Sequence, residues 1–175
     1  MLVNFTVGNF LSFREKKTLS LEAAPIKDSG SQIIEVGRLQ LLPSAALYGA
    51  NSSGKSNFLH ALGALSVMVN KSSSSSSITR LPVIPFLLDA SSEKEPSFFE
   101  IEVITPSLNH YRYGFECTQE IIAREWLYRI GSRSEKNLFI REGENIGVSS
   151  SFNEGKGLEE RTRSNALFLS VCDAF

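Results

Sequence analysis

One short stretch carries the chemistry of this sequence. Gly49-Ala50-Asn51-Ser52-Ser53-Gly54-Lys55-Ser56 fits the pattern GxxxxGK[ST]. Glycines let a loop curl until successive backbone N–H groups point inward, and a helix that starts at its end adds partial positive charge, so the stretch is an anion cradle. In such a cradle Lys55 supplies a point charge between β- and γ-phosphates and the Ser56 hydroxyl sits on Mg²⁺. The expected ligands are ATP and Mg²⁺, held by residues 49–57, Asn57 included, with Ser56 as metal ligand. With this composition the pattern arises by chance roughly once in 150 such chains. A tight turn with an exposed lysine is the plain alternative.

Hydrolysis demands more: an acid at the end of an apolar strand to position Mg²⁺, and a group that orients water. Two runs end in an acid, Ile84-Pro-Phe-Leu-Leu-Asp89 and Leu167-Phe-Leu-Ser-Val-Cys-Asp173. Pro85 would block a ladder hydrogen bond in the first. Ser170 interrupts the second, whose spacing is equally helical, and alanine follows the acid in both. His60 and His110 are the only histidines, so no histidine-based nucleophile system assembles. No catalytic residue is identifiable, and the catalytic half is expected outside this chain.

The cradle needs a strand before it and a helix after it. Ala45–Tyr48 is short and apolar, as a buried central strand would be. Asn57 to Val69 repeats Phe58, Leu62, Leu65 and Val69 on one helical face, with Ala61 and Met68 beside it. Upstream, Leu2 to Phe10 and Lys17–Glu22 read as strands, Pro25–Gln32 as a turn and Ile33–Val36 as an apolar stretch. Downstream, Lys71–Ser77 is a serine run, expected to be a mobile linker. Strands return at Phe98–Ile104, His110–Glu116, Ile121–Ile130 and Asn137–Ile140, separated by turn-rich segments, and predict an antiparallel meander. The domain reading is a single lobe over 1–175: 1–70 with the first strands, cradle and helix, 71–97 a serine-rich loop, 98–148 the meander, and 149–175 a loop leading into a helical segment. No capping or turn signal closes Arg163–Phe175, so the chain is expected to continue.

With 18 Lys+Arg against 19 Asp+Glu and 42% hydrophobic residues, the chain is neither disordered nor a bulk polycation that would attract nucleic acid. Cys117 and Cys172 are isolated, which argues against a zinc site or disulfide framework. No segment reaches the ~18–20 apolar residues that span a bilayer, so a cytoplasmic protein without membrane contact is expected. A basic cluster of Arg124, Arg129, Arg133, Lys136 and Arg141 is interleaved with Trp126 and Tyr128 but diluted by Glu125, Glu135 and Glu142. It leaves nucleic-acid binding open.

Asn9-Phe-Leu-Ser-Phe13 followed by Arg14, together with Tyr48-Gly-Ala-Asn-Ser-Ser-Gly-Lys-Ser-Asn57, resembles the amino-terminal lobe of ABC-type ATPase heads, in the branch of the RecF, Rad50, SMC and OLD-like proteins. Pro85–Asp89, Phe99–Glu102, Tyr111–Phe115, Glu125–Tyr128 and Asn165–Ser170 extend the likeness towards the AAA_15/AAA_21-type ATPases of anti-phage systems, such as the Septu and retron-associated ATPase PtuA. The resemblance implies an α/β P-loop NTPase lobe with a mixed sheet and an antiparallel subdomain. It also implies a second head as partner in a homo-oligomer, and an effector such as a nuclease or a retron RNA/DNA complex. Asn57 after the loop serine is a feature of that branch; Ser52 stands where it commonly has glycine, a change that serine tolerates if its φ is negative. By analogy Arg14 and Ser12 approach the nucleotide. No Q-loop glutamine can be placed: Gln119 falls in a hairpin turn, and Gln32 and Gln40 precede the cradle. Two other readings stand beside an ATPase head: a nucleotide-sensing module that gates a nuclease without hydrolysis, and a small P-loop kinase or GTPase.

Overall fold

A computed structural model describes residues 1–25 and 33–175. Alternating apolar and polar residues build β1 (Leu2–Gly8), whose Val3, Phe5 and Val7 are fully buried, and a tight turn leads into β2 (Lys17–Ser20). A small hairpin, β3 (Ile34–Val36) with β4 (Leu39–Leu41), follows, then α1 (Lys55–Lys71). The meander comprises β5 (Ser97–Ile104), β6 (His110–Cys117), β7 (Ile122–Ile130), β8 (Glu135–Glu142) and β9 (Asn145–Val148). A short α2 (Phe168–Ala174) closes the chain.

These strands form one sheet in the order β2-β1-β5-β6-β7-β8-β9. Every neighbouring pair is antiparallel, so the expected mixed sheet is corrected to an antiparallel one. Short turns can join only antiparallel neighbours, and the long excursion through α1 returns to place β5 antiparallel to β1.

One sheet face is apolar and covered. Phe5, Phe99, Phe115 and Phe139 are fully buried on it, and α1 lays Phe58, Ala61, Ala64, Leu65 and Met68 against this core. Phe58 meets Phe5 edge-on at 5.2 Å, and Phe168 of α2 meets Phe139 at 4.9 Å. Each such side chain contributes about 1.5–3 kcal/mol on burial. The other face is a polar lattice: Arg112 bonds Glu100 and Glu135, the Trp126 indole N–H donates to Glu100, and Asn4 donates to Glu102.

Two expected elements differ. Ala45–Tyr48 forms no strand; it is exposed, with Tyr48 at 91% accessibility, because no described strand lies beside it to supply ladder hydrogen bonds. The serine run is not a free linker. Ser72–Ser74 makes a 3₁₀ turn, Ser72 is buried and accepts from the Leu167 N–H, and the Ser73 N–H donates to Ser170 Oγ. Arg163 and Asn165 donate to the carbonyls of Ser73 and Ser76. Most of the expected turn at Pro25–Gln32, with Gln32, lies outside the described residues.

Candidate functional site

The loop from Gly49 to Gly54 ends at the first residue of α1. A side chain at Gly49 would place its Cβ 2.8 Å from Ser53 Oγ, and Gly54 adopts φ +92°. Gly54 therefore needs glycine's conformational freedom, whereas a Cβ at Gly49 would require the Ser53 hydroxyl to turn aside. Ser52 also stands in the left-handed region, at φ +65°, which corrects the expected negative φ. Serine here carries the strain that glycine would avoid.

At the amino end of α1 no side chain caps Gly54, and the first turn holds no acid. The N–H of Phe58, bonded to Gly54 O, begins the helical ladder, so the N–H groups of Lys55, Ser56 and Asn57 precede it. The Lys55 ammonium is folded over the loop, donating to Gly49 O at 2.8 Å and Ala50 O at 2.7 Å. Ala50, Asn51, Ser52, Ser53 and Ser56 are all exposed. Uncapped N–H groups, a helix dipole, one lysine and no nearby acid in the turn form an arrangement complementary to a phosphate chain. These residues fit ATP; for Mg²⁺ they offer the Ser56 hydroxyl, and no cluster of three or more acids, histidines or cysteines suited to a metal occurs among the described residues.

The turn between β1 and β2 packs against this helix start. Asn57 Nδ2 donates to Ser12 Oγ at 2.9 Å, and Phe13 packs edge-on to Phe58 at 5.9 Å. Arg14, expected near the nucleotide by resemblance, is ion-paired with Asp89. Asp89 lies in a turn rather than at a strand end and accepts from the N–H and hydroxyl of Ser91. These two bonds, with Arg14 as a lesser cause, hold its carboxyl below the ordinary carboxylate range. A committed carboxylate of this kind differs from the expected candidate metal ligand.

Asp173, the other candidate acid, is exposed in the last turn of α2. That helix packs beside the far end of α1 through Ser170 and Ser73, about 25 Å along the axis from the cradle. His60 is exposed on α1, and His110 faces Glu102 on the sheet. Gln119 sits in the β6–β7 turn, where its side chain donates to Val83 O.

The basic cluster does not converge. Arg141 is 1% exposed and binds the carbonyls of Gly143 and Ala166, whereas Arg124 pairs with Glu142 and Arg129 donates to Asn109. Arg133 and Lys136 are exposed at the β7–β8 turn. Alternation along the strands sends these residues to opposite faces, so they make no continuous basic surface.

Two groupings escaped sequence reasoning. Buried Asn9 bridges the Phe86 N–H to the carbonyls of Ser92 and Glu95. Fully buried Glu125 accepts from the Phe168 and Leu169 N–H groups and the Tyr113 hydroxyl. The sequence marked both residues, as polar positions within apolar patterns and within segments that carry the family likeness, but not their partners.

No curated protein and no solved structure gives a significant match to this chain. A family model does match, over residues 44–168, and its description reads "AAA domain, putative AbiEii toxin, Type IV TA system". The match begins at the approach to the phosphate loop and runs to the first residue of α2, spanning most of the chain. The chain therefore belongs to the AAA_21 family of AAA domains.

Proposed function

We propose that this chain is the ATP-binding lobe of an ABC-type ATPase head, with Mg²⁺-ATP taken on Gly49–Ser56 as a switch ligand. The observation that carries this reading is the uncapped, acid-free start of α1 behind a loop that closes on Gly54 in the left-handed region. Phosphate oxygens would draw Lys55 away from the Gly49 and Ala50 carbonyls, and the Ser56 hydroxyl would take one Mg²⁺ position. Asn51, Ser52 and Ser53 would line the cradle with their main-chain N–H groups, and Asn57 would stand just behind it.

Bound Mg²⁺-ATP supplies a γ-phosphate whose presence or loss changes the charge at the loop. A ligand with different affinity for two states shifts the balance between them. In the full protein the two states would be open and nucleotide-closed pairs of heads, controlling an effector such as a nuclease or an RNA/DNA complex. A setting in toxin–antitoxin control accords with the family's description, and one in anti-phage defence rests on the sequence resemblance alone. A second reading, nucleotide sensing without hydrolysis, is favoured by the engagement of Asp89 with Arg14 and Ser91 and by the place of Asp173 on α2, which packs against the turn that follows α1 at the end opposite Ser56.

The test is calorimetric titration with Mg²⁺-ATP of the wild type and Lys55→Ala, with phosphate release followed in the same samples. Saturable binding that weakens at least about tenfold in Lys55→Ala, with an unchanged melting midpoint, is expected. Binding indifferent to Lys55 would overturn the reading. Turnover by this chain alone would overturn sensing without hydrolysis and require an acid within it.

A further inference from the structure

The β1–β2 turn is held with unusual thoroughness for a surface loop. Phe10 and Phe13 exchange backbone hydrogen bonds at 2.9 Å, closing it tightly. Asn9 and Leu11 adopt φ +45° and +49°, conformations that cost non-glycine residues on the order of 1 kcal/mol each. External contacts keep them there. Leu11 N–H donates to Ile84 O at 2.8 Å, the Asn9 side chain bonds Phe86 and Ser92, the Ser97 hydroxyl donates to Asn9 O, and Arg14 pairs with Asp89.

What this rigid turn presents is Ser12 and Phe13, and both meet the first turn of α1. Ser12 Oγ accepts from Asn57, and it lies 3.0 Å from the position that a Cβ on Gly54 would occupy. Asn57 is the third residue of α1, a position from which a polar side chain commonly folds back towards the helix start; its amide instead reaches across to the turn. Among the described residues the phosphate loop has no comparable support on its other side, where residues 43–53 are exposed and Ala45–Tyr48 pairs with no described strand.

A cradle binds phosphate tightly only when its N–H groups are already aimed, because ordering a loose loop on binding consumes affinity. We infer that Ser12 and Asn57 are positioning residues for phosphate binding, a brace that aims Gly54, Lys55 and Ser56 from the β1–β2 turn. Neither touches the nucleotide in this role. The inference rests on the nucleotide-binding reading above.

The experiment uses the full chain with Ser12→Ala, Asn57→Ala, the double variant and Ser12→Thr. It measures Mg²⁺-ATP affinity by calorimetry and, without ligand, amide hydrogen exchange at Gly54–Ser56 by NMR. Each alanine variant is expected to lose about 3- to 10-fold in affinity, the scale of one hydrogen bond. The double variant should lose no more than the weaker-binding single one, and threonine, which keeps the hydroxyl, should restore binding. Loop amides should exchange faster in the alanine variants while the melting midpoint holds.

Wild-type affinity and exchange in the alanine variants overturn the brace and leave the nucleotide reading standing. So do losses that multiply in the double variant. If the wild type fails to bind Mg²⁺-ATP, the nucleotide reading falls and the positioning role with it; exchange would then report only whether Ser12 and Asn57 stiffen the loop.

Discussion

At the scale of single residues, local conformation and local charge decide what each group is free to do. Ser52 occupies a left-handed φ of +65° within the phosphate loop. Ser52→Gly should raise stability by up to about 1 kcal/mol, the relieved strain being partly offset by glycine's greater freedom in the unfolded chain; urea unfolding monitored by circular dichroism would measure it, and a loss of stability would count against the strain. Asp89 is a second case. Its carboxyl is lowered first by the Ser91 N–H, then by the Ser91 hydroxyl, and only afterwards by Arg14. Because the folded value lies below the unfolded one, its stabilising contribution is present above the ordinary carboxylate range and is lost as pH falls through the lowered value. In an NMR titration of the side-chain carboxyl, Ser91→Ala should move Asp89 back towards normal further than Arg14→Ala does. The opposite ranking would make the ion pair the main cause. Both residues could be singled out in the sequence, but neither the sign of φ at Ser52 nor the partners of Asp89 could be read there.

At the scale of elements, α2 is fixed by a buried polar node. Burial pushes the Glu125 carboxyl upward, opposed by the N–H groups of Leu169 and Phe168, by Arg141 and by the Tyr113 hydroxyl. Arg141 Nη1 stands 3.8 Å from Glu125 while donating to Ala166 O. Glu125→Ala would leave that guanidinium buried without its counter-charge and α2 without its N-terminal acceptor. A loss of about 3–5 kcal/mol is expected in denaturant unfolding, and a loss under about 1 kcal/mol would show that the node is dispensable. The elements were unevenly legible. The periodicity of Phe58, Leu62, Leu65 and Val69, with Ala61 and Met68 beside it, located α1; its buried residues are Phe58, Ala61, Ala64, Leu65 and Met68, while Leu62 and Val69 are only partly buried. The strand expected at Ala45–Tyr48 failed because a strand is a property of two segments, and an apolar run reports only one. The serine run looked free because its partners, Arg163, Asn165 and Leu167, lie about 90 residues further along.

At the scale of the whole molecule, a seven-stranded antiparallel sheet buries one face under α1 and α2 and turns a charge-paired lattice outward. No helix among the described residues is long and apolar enough to cross a membrane. The Gly49–Ser56 loop lies at the exposed start of α1, and no cluster of three or more metal-ligating side chains occurs among the described residues, which is why the expected outcome of the Mg²⁺-ATP titration is binding without turnover. The sequence by itself determined the glycine-rich loop with its lysine and serine, the helix that follows and the succession of meander strands, because each depends on neighbours within a few residues. Only the tertiary structure decided that Ser12 meets Asn57, 45 positions away, that Arg14 is held by Asp89, and that Arg141 is buried rather than offered to a polyanion. Pairings across such distances depend on strand order and register, which local residue types do not encode.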